Sequence, residues 1–337
     1  MTAADLPQYI QQLLKPAAYP HPAADVRLVQ THISYVLLAG DFVYKFKKPV
    51  DFGFLNFTTL DKRKHFSAQE LLLNQRLSPS IYLAQVTVNK DGDTLALNGS
   101  GEPVEYGIKM KRMPEERMMG NVIKRGELTN EMLDAIVAKL APFYAQADGS
   151  DAIKAFGTAK AVSVNVLENF EQTQSFIGCE ALSQSQFDLI SGYARDFLGR
   201  EPLFDQRMAA GKIRDCHGDL YSANICLADQ VYIFDCIEFN ERFRYCDVAS
   251  DVAFLAMDLD FHDLRPQSEH FIDRLSAATG DETLRPMLNF YKCYRAYVRG
   301  KIGLFTAHDP QVDAATKKSC LGQAARYFQL AARYAQQ

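Results

Sequence analysis

The chain carries the stretch Cys216-His217-Gly218-Asp219-Leu220-Tyr221-Ser222-Ala223-Asn224, followed by the apolar run Val231-Tyr232-Ile233-Phe234, which ends in Asp235. Asp219 and Asn224 stand five positions apart, and Asp235 closes a short segment typical of a buried strand. An ionised carboxylate accepts a proton from a hydroxyl group, and oxygen atoms are the ligands that hold Mg²⁺. The stretch therefore predicts a site that combines a proton acceptor with oxygen ligands for a hard cation.

The same spacing occurs in the catalytic loop of protein kinases, H-R-D-L-x-x-x-N, which precedes a metal-binding aspartate further along the chain. The chain differs in Gly218, which stands where protein kinases carry arginine. An ordinary polar turn between two strands would need neither Asn224 nor Asp235, so we favour the functional interpretation. Phosphoryl transfer depends mainly on positioning and charge neutralisation, so a few such groups suffice for it.

Each polar group of the stretch has a predicted role. Asp219 is the candidate catalytic residue, which accepts or orients the proton of an acceptor hydroxyl while it is ionised. Asn224 and Asp235 are the candidate ligands of Mg²⁺, an ion that takes few protein ligands beside water and nucleotide phosphates. His217 is expected to pack and hydrogen-bond beneath the loop rather than to act as a base.

These residues resemble the hallmark of the aminoglycoside phosphotransferase/choline kinase superfamily, H-G-D-h-x-x-x-N followed by a strand end similar to I-D-F. Two further segments resemble an uncharacterised bacterial branch of aminoglycoside phosphotransferase-like proteins: Val43-Tyr44-Lys45-Phe46-Lys47-Lys48-Pro49-Val50-Asp51-Phe52-Gly53-Phe54-Leu55 and Ile233-Phe234-Asp235-Cys236-Ile237-Glu238-Phe239-Asn240. The resemblance covers nearly the whole chain. It implies an α+β, bilobal protein-kinase-like fold, with a β-rich N-lobe at residues 1–113 and a helical C-lobe at residues 114–337.

The region before residue 113 has the order of strands, helix and strands that a kinase N-lobe has. A leading helix is predicted at residues 5–15, and a long helix at residues 59–77 with Leu71, Leu72 and Leu77 on its buried side. Short runs rich in β-branched and aromatic residues, separated by turn signals, predict strands at residues 26–30, 35–39, 42–46, 81–88, 94–97 and 104–110.

Lys45 is the candidate lysine for the nucleotide phosphates, because its register matches the V-A-I-K pattern of kinases. Glu70 lies in the middle of the long predicted helix, where the ion-pair partner of that lysine is expected. Lys47 lies two residues further along the same strand face and is the rival of Lys45. The simpler alternatives are a solvated lysine at a strand edge for Lys45 and a solvent-facing helix acid for Glu70.

Three further features concern the nucleotide. No G-x-G-x-x-G precedes Lys45, so the turn Thr31-His32-Ile33-Ser34 is expected to cover the phosphates through backbone N–H groups and the Ser34 hydroxyl. The segment Lys111-Arg112-Met113-Pro114 is the predicted hinge, in which backbone groups of Lys111 and Met113 contact the nucleobase. Glu238 either reaches a second metal ion or is a hydrogen-bonded acid at a strand end, and the sequence leaves both open.

The region after residue 115 is rich in helical patterns. Helices are predicted at residues 129–147, 163–177, 183–208 with a break at Pro202, 247–260, 283–305 and 314–335. Asp247 resembles the acid that follows the motif in the superfamily, and it is expected to cap its helix and tie it to the catalytic loop.

Composition narrows the class of protein. The chain of 337 residues is 47% hydrophobic and 23% charged and carries a formal net charge of −4, so nucleic acid is disfavoured as a partner. No apolar run approaches the length of a membrane span, so we expect no membrane partner. Residues 1–5 lack the basic segment and the long apolar segment of a signal peptide, so we expect a cytoplasmic location. The oligomeric state stays open.

The leading hypothesis is a Mg²⁺-dependent phosphotransferase that uses ATP or GTP to phosphorylate a hydroxyl group of a small molecule. A polycationic aminoglycoside, a sugar, an amino alcohol or another hydroxylated metabolite are all allowed as the acceptor. The second hypothesis is a nucleotide-binding regulator or pseudokinase without turnover, since the glycine-rich loop is missing. A protein kinase is the third, and Gly218 together with the lack of an A-P-E-like segment argues against it.

Overall fold

The structure, a computed structural model, describes residues 6–310 and 312–337. These residues form two compact units. The first unit contains the described residues up to Met118 together with Cys226–Glu241, and the second contains Met119–Ile225 with Arg242–Gln337. The division into a nucleotide-binding N-lobe at residues 1–113 and a C-lobe at residues 114–337 with the catalytic loop stays a prediction. Asp5, the first residue of the predicted leading helix, lies outside the described residues.

The first unit is built on a six-stranded sheet in which every neighbouring pair of strands is antiparallel. Its strands follow the order β1-β2-β3-β6-β4-β5, and their bounds are β1 Val26–Gln30, β2 Ser34–Ala39, β3 Phe42–Lys47, β4 Tyr82–Asp91, β5 Thr94–Leu97 and β6 Glu102–Lys111. Two short strands, β8 Ile225–Leu227 and β9 Val231–Ile233, form a separate hairpin. The six predicted strands of this region are all present, with ends that differ by a few residues.

Two helices accompany the sheet of the first unit, α1 Gln8–Leu13 and α2 Leu60–Gln75. Thr59 caps α2, because its hydroxyl accepts a hydrogen bond from Lys62 N at 3.2 Å. The predicted apolar face of α2 is wrong at Leu72, which is 60% exposed. The buried positions of α2 are mostly polar instead: Arg63, Ser67, Glu70, Leu73 and Asn74. Buried polar groups need hydrogen-bond or ion-pair partners. Arg63 pairs with Glu105, whereas the partners of Glu70 and Asn74 belong to the candidate site.

The second unit is mostly helical. Its helices are α3 Met119–Lys124, α4 Asn130–Gln146, α5 Asp151–Lys154, α6 Ala159–Thr173, α7 Gln184–Leu198, α8 Glu201–Ala209, α10 Val248–Phe261, α11 Arg265–Thr279, α12 Arg285–His308 and α13 Ala314–Ala335, and the short α9 Glu241–Arg244 spans the boundary between the units. Strands β7 Ile213–Asp215 and β10 Tyr245–Asp247 pair antiparallel.

The predicted helices of the second unit agree with the structure at α8 but omit α11. The predicted helix 183–208 breaks as expected, and α8 begins with Pro202 in its first turn. The helix α11 was missed, although Pro266 lies in its first turn and Gly280 follows it in the left-handed conformation with φ 59°. Both are ordinary helix boundary signals, but the helix between them is largely polar.

The helix α10 lies at the centre of the second unit, since all of its residues are buried. It packs against α11 and α12, and α12 packs against α13. Asp247 caps α10 as predicted, because its carboxylate accepts a hydrogen bond from Ala249 N at 2.8 Å. None of the helices within residues 6–310 and 312–337 is long and apolar enough to cross a membrane.

Candidate functional site

The first group of candidate residues is a lysine–carboxylate cluster in the first unit, formed by Lys45, Lys47, Glu70, Asp235 and Glu238. Lys45 Nζ lies 2.8 Å from Glu70 Oε1 and 2.6 Å from Asp235 Oδ1. The carboxylate of Glu70 also accepts a hydrogen bond from Lys47 Nζ through Oε2 at 2.7 Å. Glu70 therefore holds both lysines, one on each oxygen.

The two lysines differ in what else they contact. Lys47 is buried and donates a hydrogen bond to Glu238, which is also buried. Lys45 is more accessible than Lys47, and its second partner, Asp235, has a side chain that is 45% exposed. Of the two alternatives for Glu238, the structure therefore favours the hydrogen-bonded acid, because its carboxylate is engaged by a buried lysine.

Burial and charge act in opposite directions on this cluster. Burial alone would raise the pKa of Glu70, but the ammonium groups of Lys45 and Lys47 lower it to about 2. Burial would lower the pKa of Lys45, but Asp235 and Glu70 raise it well above its ordinary value. Burial raises the pKa of Glu238 despite the presence of Lys47. The central pair of Lys45 and Glu70 is therefore charged at neutral pH.

The backbone at Asp235 is held in a left-handed turn. Its φ is 61°, in a region that aspartate adopts more readily than most residues other than glycine. The Asp235 N–H donates to the Tyr82 hydroxyl at 3.1 Å, and the neighbouring Cys236 N–H donates to Asn74 Oδ1 at 2.9 Å. Ser78 Oγ donates to Ile233 O at 2.8 Å. These three hydrogen bonds hold the turn that carries the Asp235 side chain.

The turn between β1 and β2 contains the residues that were predicted to cover the phosphates. The Ser34 side chain is buried, and its hydroxyl has no hydrogen-bond partner among the described residues. The N–H groups of Ile33 and Ser34 both donate to the Thr31 hydroxyl, at 3.3 Å and 2.9 Å. A contact between Ser34 and the phosphates stays a prediction from the sequence.

The predicted hinge residues lie at the end of β6. Lys111 is exposed, and its N–H donates to Ile81 O at 2.8 Å, so its backbone donor is used within the unit. Met113 is partly buried against an apolar cluster of Val43, Ile81, Tyr82, Ile108, Met110, Cys226 and Tyr232. Val36 and Phe234 pack against the same cluster and are also only partly buried. These partly covered apolar groups are the kind of surface on which a nucleobase packs.

The second group of candidate residues is the aspartate loop, residues 216–224 of the second unit. Its backbone is held by Asp251 of α10, whose two oxygens accept hydrogen bonds from His217 N and Gly218 N, each at 2.8 Å. Asp258 of the same helix accepts a bond from Ser222 N at 3.0 Å. Gly218 has a φ of 85°, so a glycine suits the turn that brings both N–H groups to Asp251.

Within the loop, Asn224 contacts Asp219 directly. Its amide nitrogen donates to the Asp219 carboxylate and to the Asp219 carbonyl oxygen, both at 2.9 Å. His217 is buried as predicted, and its Nδ1 accepts a hydrogen bond from Asp219 N at 3.2 Å. The carboxylate of Asp219 is thus oriented by an amide and remains partly exposed.

The donor atoms of Asn224 and Asp235 are of the kind that Mg²⁺ prefers. Asn224 bonds to Asp219 through its amide nitrogen, which leaves its carbonyl oxygen as the atom suited to a cation. Asp235 offers a partly exposed carboxylate. Among residues 6–310 and 312–337, no three histidine, cysteine or acidic side chains are grouped to hold a metal. Each of these oxygens by itself is compatible with Mg²⁺, since that ion takes few protein ligands and usually completes its shell with water and phosphate.

Two functional contacts were missed from the sequence. We expected Asp247 to tie α10 to the loop, but Asp251 does so, and Asp247 pairs instead with Arg207 at 2.6 Å. Arg295 of α12 also supports the loop, because its Nη1 donates to Gly218 O at 2.9 Å. A charged residue inside an apolar helical pattern was the available signal for Asp251, since such a group is buried only with partners.

No protein-family model matches the chain. An uncharacterised protein of Mycobacterium tuberculosis strain H37Rv is 33% identical over 283 residues, which is 83% of this chain and 55% of that protein. Uncharacterised proteins of Mycobacterium bovis and of a second Mycobacterium tuberculosis strain match to the same extent. The chain thus spans about half the length of the curated relatives that it matches.

Three solved structures resemble the chain over most of its length. They are a choline/ethanolamine kinase family protein from Mesorhizobium loti (TM-score 0.53, 14% identity, 97% of this chain and 99% of that one), a candidate aminoglycoside phosphotransferase from Ralstonia eutropha (0.55, 12%, 97% and 96%), and an amicoumacin kinase in complex with AMP-PNP, Ca²⁺ and Ami (0.52, 13%, 95% and 92%). The predicted α+β fold class is confirmed.

Proposed function

We propose that this chain, which has the kinase-like fold of the aminoglycoside phosphotransferase/choline kinase superfamily, is a Mg²⁺-dependent phosphotransferase. It moves the γ-phosphate of ATP or GTP to a hydroxyl group of a small molecule. The observation that carries the proposal is the Lys45 ammonium group, which is held between Glu70 and Asp235. Kinase-like enzymes orient a strand lysine toward nucleotide phosphates with such a glutamate.

The residues of the first unit serve the nucleotide in this proposal. Lys45 binds the phosphates, Glu70 orients it, and Lys47 with Glu238 supports Glu70 from the buried side. Met113 and the backbone at Lys111 adjoin the nucleobase. Asp235 and Asn224 would hold Mg²⁺, which would supply positive charge against the phosphate oxygens. That both residues serve one ion stays a prediction from the sequence.

Asp219 meets the acceptor hydroxyl. Its carboxylate takes the proton as the hydroxyl oxygen attacks the γ-phosphorus atom, while the bond from that phosphorus to the β–γ bridging oxygen breaks and ADP or GDP leaves. For this role Asp219 needs only to be ionised and within hydrogen-bond distance. The bond from the Asn224 amide fixes the rotation of that carboxylate, so one of its oxygens keeps a constant direction. Asp251 keeps the loop itself in place.

The test compares the wild-type chain with Asp219→Asn in a phosphotransfer assay on a library of hydroxylated acceptors. We expect Asp219→Asn to lower turnover about 100- to 10,000-fold, because general base catalysis is lost. Asp263→Asn is the matched control, since Asp263 is exposed and has a φ of 62°, which asparagine tolerates. Equal turnover by the wild type and Asp219→Asn contradicts the proposal.

One observation favours the second candidate function, a nucleotide-binding regulator without turnover. In the turn between β1 and β2, the N–H groups of Ile33 and Ser34 donate to the Thr31 hydroxyl, so they are already used within the turn and are not directed to phosphates. A thermal shift experiment with MgATP separates the two candidates when it is run beside the acceptor library. Stabilisation by MgATP without transfer to any acceptor favours the regulator.

A further inference from the structure

A layered stack of aromatic rings and arginines lies beside the aspartate loop within the second unit. The ring of Tyr221, two residues after Asp219, stacks on Phe254 of α10 with centroids 5.2 Å apart and an interplanar angle of 9°. The guanidinium of Arg295 lies 4.8 Å from the centroid of Phe254, and that of Arg299 lies 4.8 Å from the centroid of Tyr221. Two arginines one helical turn apart on α12 therefore enclose the pair of rings.

The two arginines use their hydrogen-bond donors differently. Arg295 donates to Gly218 O at 2.9 Å and to Ser250 O at 3.3 Å, so its role in the stack is to hold backbone. Arg299 Nε is buried and has no hydrogen-bond acceptor among the described residues. The Tyr327 hydroxyl bonds to Arg299, which accounts for one of the five N–H donors that a guanidinium carries.

The charge of Arg299 is secured by its surroundings. Burial would lower the pKa of Arg299, but Tyr221, Tyr327 and Asp219 raise it, so the guanidinium stays charged. A buried charged donor without an acceptor costs free energy, so the group calls for a partner, and a ligand that accepts its hydrogen bond is one such partner. The planar fork of arginine fits the two oxygens of a carboxylate or phosphate, and stacking on Tyr221 holds the fork in one orientation.

We propose that Arg299 binds an anionic oxygen group, a carboxylate or a phosphate, on the same acceptor whose hydroxyl meets Asp219. The acceptor is therefore a hydroxylated anion rather than a polycationic aminoglycoside or an amino alcohol. This inference rests on the proposed function, because it takes Asp219 as the residue that meets the acceptor. It assigns to Arg299 the selection of the acceptor and not the transfer itself.

The experiment measures binding of matched probes to the full chain by isothermal titration calorimetry. One series is glycerol, glycerate and glycerol 3-phosphate, and the other is glucose, gluconate and glucose 6-phosphate; ethanolamine serves as the cationic probe. We expect at least one anionic member to bind about tenfold or more tightly than its neutral parent, because an added charged hydrogen bond has that effect. The carboxylate and phosphate members show which of the two groups Arg299 takes.

Arg299→Met is the decisive variant, since methionine keeps a long apolar side chain against Tyr221 and removes the charge. We expect it to weaken binding of the preferred anion about 10- to 100-fold and to leave the neutral parent unchanged. Arg299→Lys keeps the charge but lacks the planar fork, so its affinity for the anion is expected to lie between those of the wild type and Arg299→Met. This variant tests the proposal if Arg299→Met folds poorly. Arg326→Met is the matched control, because Arg326 also stacks on a ring, that of Phe261, but donates to Phe261 O at 2.9 Å.

Several outcomes overturn the inference. These are equal binding of anionic and neutral probes by the wild type, no binding of any anionic probe, an unchanged preference in Arg299→Met, and an equal loss in Arg326→Met. Binding of an anion through Arg299 without phosphorylation of any acceptor contradicts the proposed phosphotransfer and leaves the anion site standing. Phosphorylation of ethanolamine or glycerol with unchanged KM in Arg299→Met contradicts the anion site and leaves the phosphotransfer standing.

Discussion

In the first unit Lys45 is held by the charges of other side chains, whereas in the second unit Asp219 stands on a loop that is held through its backbone. The lysine–carboxylate cluster contains two cations and three anions in direct contact, and three of the five side chains are almost fully buried. The aspartate loop is anchored by N–H groups that donate to Asp251 and Asp258. The Asp219 carboxylate itself accepts a hydrogen bond from Asn224 of the same loop.

Because the two regions are held differently, a substitution is expected to cost a different amount of stability in each of them. Removal of one member of the cluster leaves a buried charge without its partner, which costs about 3 to 5 kcal/mol. Removal of a loop anchor leaves N–H groups unsatisfied, at about 1 to 3 kcal/mol each, but creates no unpaired charge. A substitution in the cluster is therefore expected to lower stability and activity together, whereas a substitution of Asp219 in the loop can lower activity with little effect on stability.

The largest effect is expected for Glu70→Gln. Two buried ammonium groups lose the carboxylate that they share, so the free energy of unfolding should fall by about 3 to 5 kcal/mol in urea denaturation. Glu102→Gln makes the same chemical change at an exposed strand position and should stay within about 0.5 kcal/mol of the wild type. Similar stability of both variants would show that Glu70 is not the centre of the cluster.

The next effect compares the two lysines. Lys45→Met should lower kcat/KM for MgATP about 100- to 1,000-fold, because a charged group aimed at the phosphates is lost. Lys47→Met should instead act mainly on stability, since Lys47 is the more buried and leaves Glu238 without its partner. Steady-state kinetics and urea denaturation of both variants show which lysine contacts the phosphates. Loss of activity in Lys47→Met at unchanged stability would make Lys47 the phosphate lysine.

The third effect is a dependence of stability on pH. The folded-state pKa of Glu70 is lowered from 4.5 to about 2, so its stabilisation is present above about pH 4.5 and is lost as the pH falls towards 2. The size is on the order of 3 kcal/mol. The raised pKa of Glu238 acts in the opposite direction, because its protonation on acidification removes a buried charge.

The measurement for the third effect is the difference in free energy of unfolding between the wild type and Glu70→Gln. That difference should shrink as the pH falls from about 6 to about 2.5. Glu102→Gln again serves as the control and should show no such trend. A constant difference over this range would mean that Glu70 is not ionised through the contacts described.

The smallest effect is expected for Asp251→Asn in the loop. Asparagine keeps one acceptor oxygen but turns an NH₂ group toward an N–H donor, so stability should fall by about 2 to 3 kcal/mol. Turnover should fall with it, whereas binding of ATP without Mg²⁺ should not change, because Lys45 and Glu70 belong to the first unit. Asp196→Asn at an exposed position of α7 is the matched control. Loss of metal-free ATP binding in Asp251→Asn would break the separation of the two regions.

Local patterns were enough to predict much of this protein. Short apolar runs with turn signals predicted all six strands of the sheet, whereas the chemistry assigned to Asp219, Asn224 and Asp235 from their spacing stays a prediction. Helix caps such as Thr59 and Asp247 stand at the residues where the sequence pattern begins a helix. These features depend on neighbours along the chain, which is why a sequence reveals them.

The contacts that hold the candidate site follow from the tertiary structure. Lys47 meets Glu238 across 191 positions of the chain, and His217 meets Asp251 across 34. The apolar pattern of α2 pointed to Leu72 as buried, yet the helix turns Glu70 and Asn74 inward because their partners come from distant segments. A buried polar group is stable only with such partners, and no local pattern encodes where a distant partner lies.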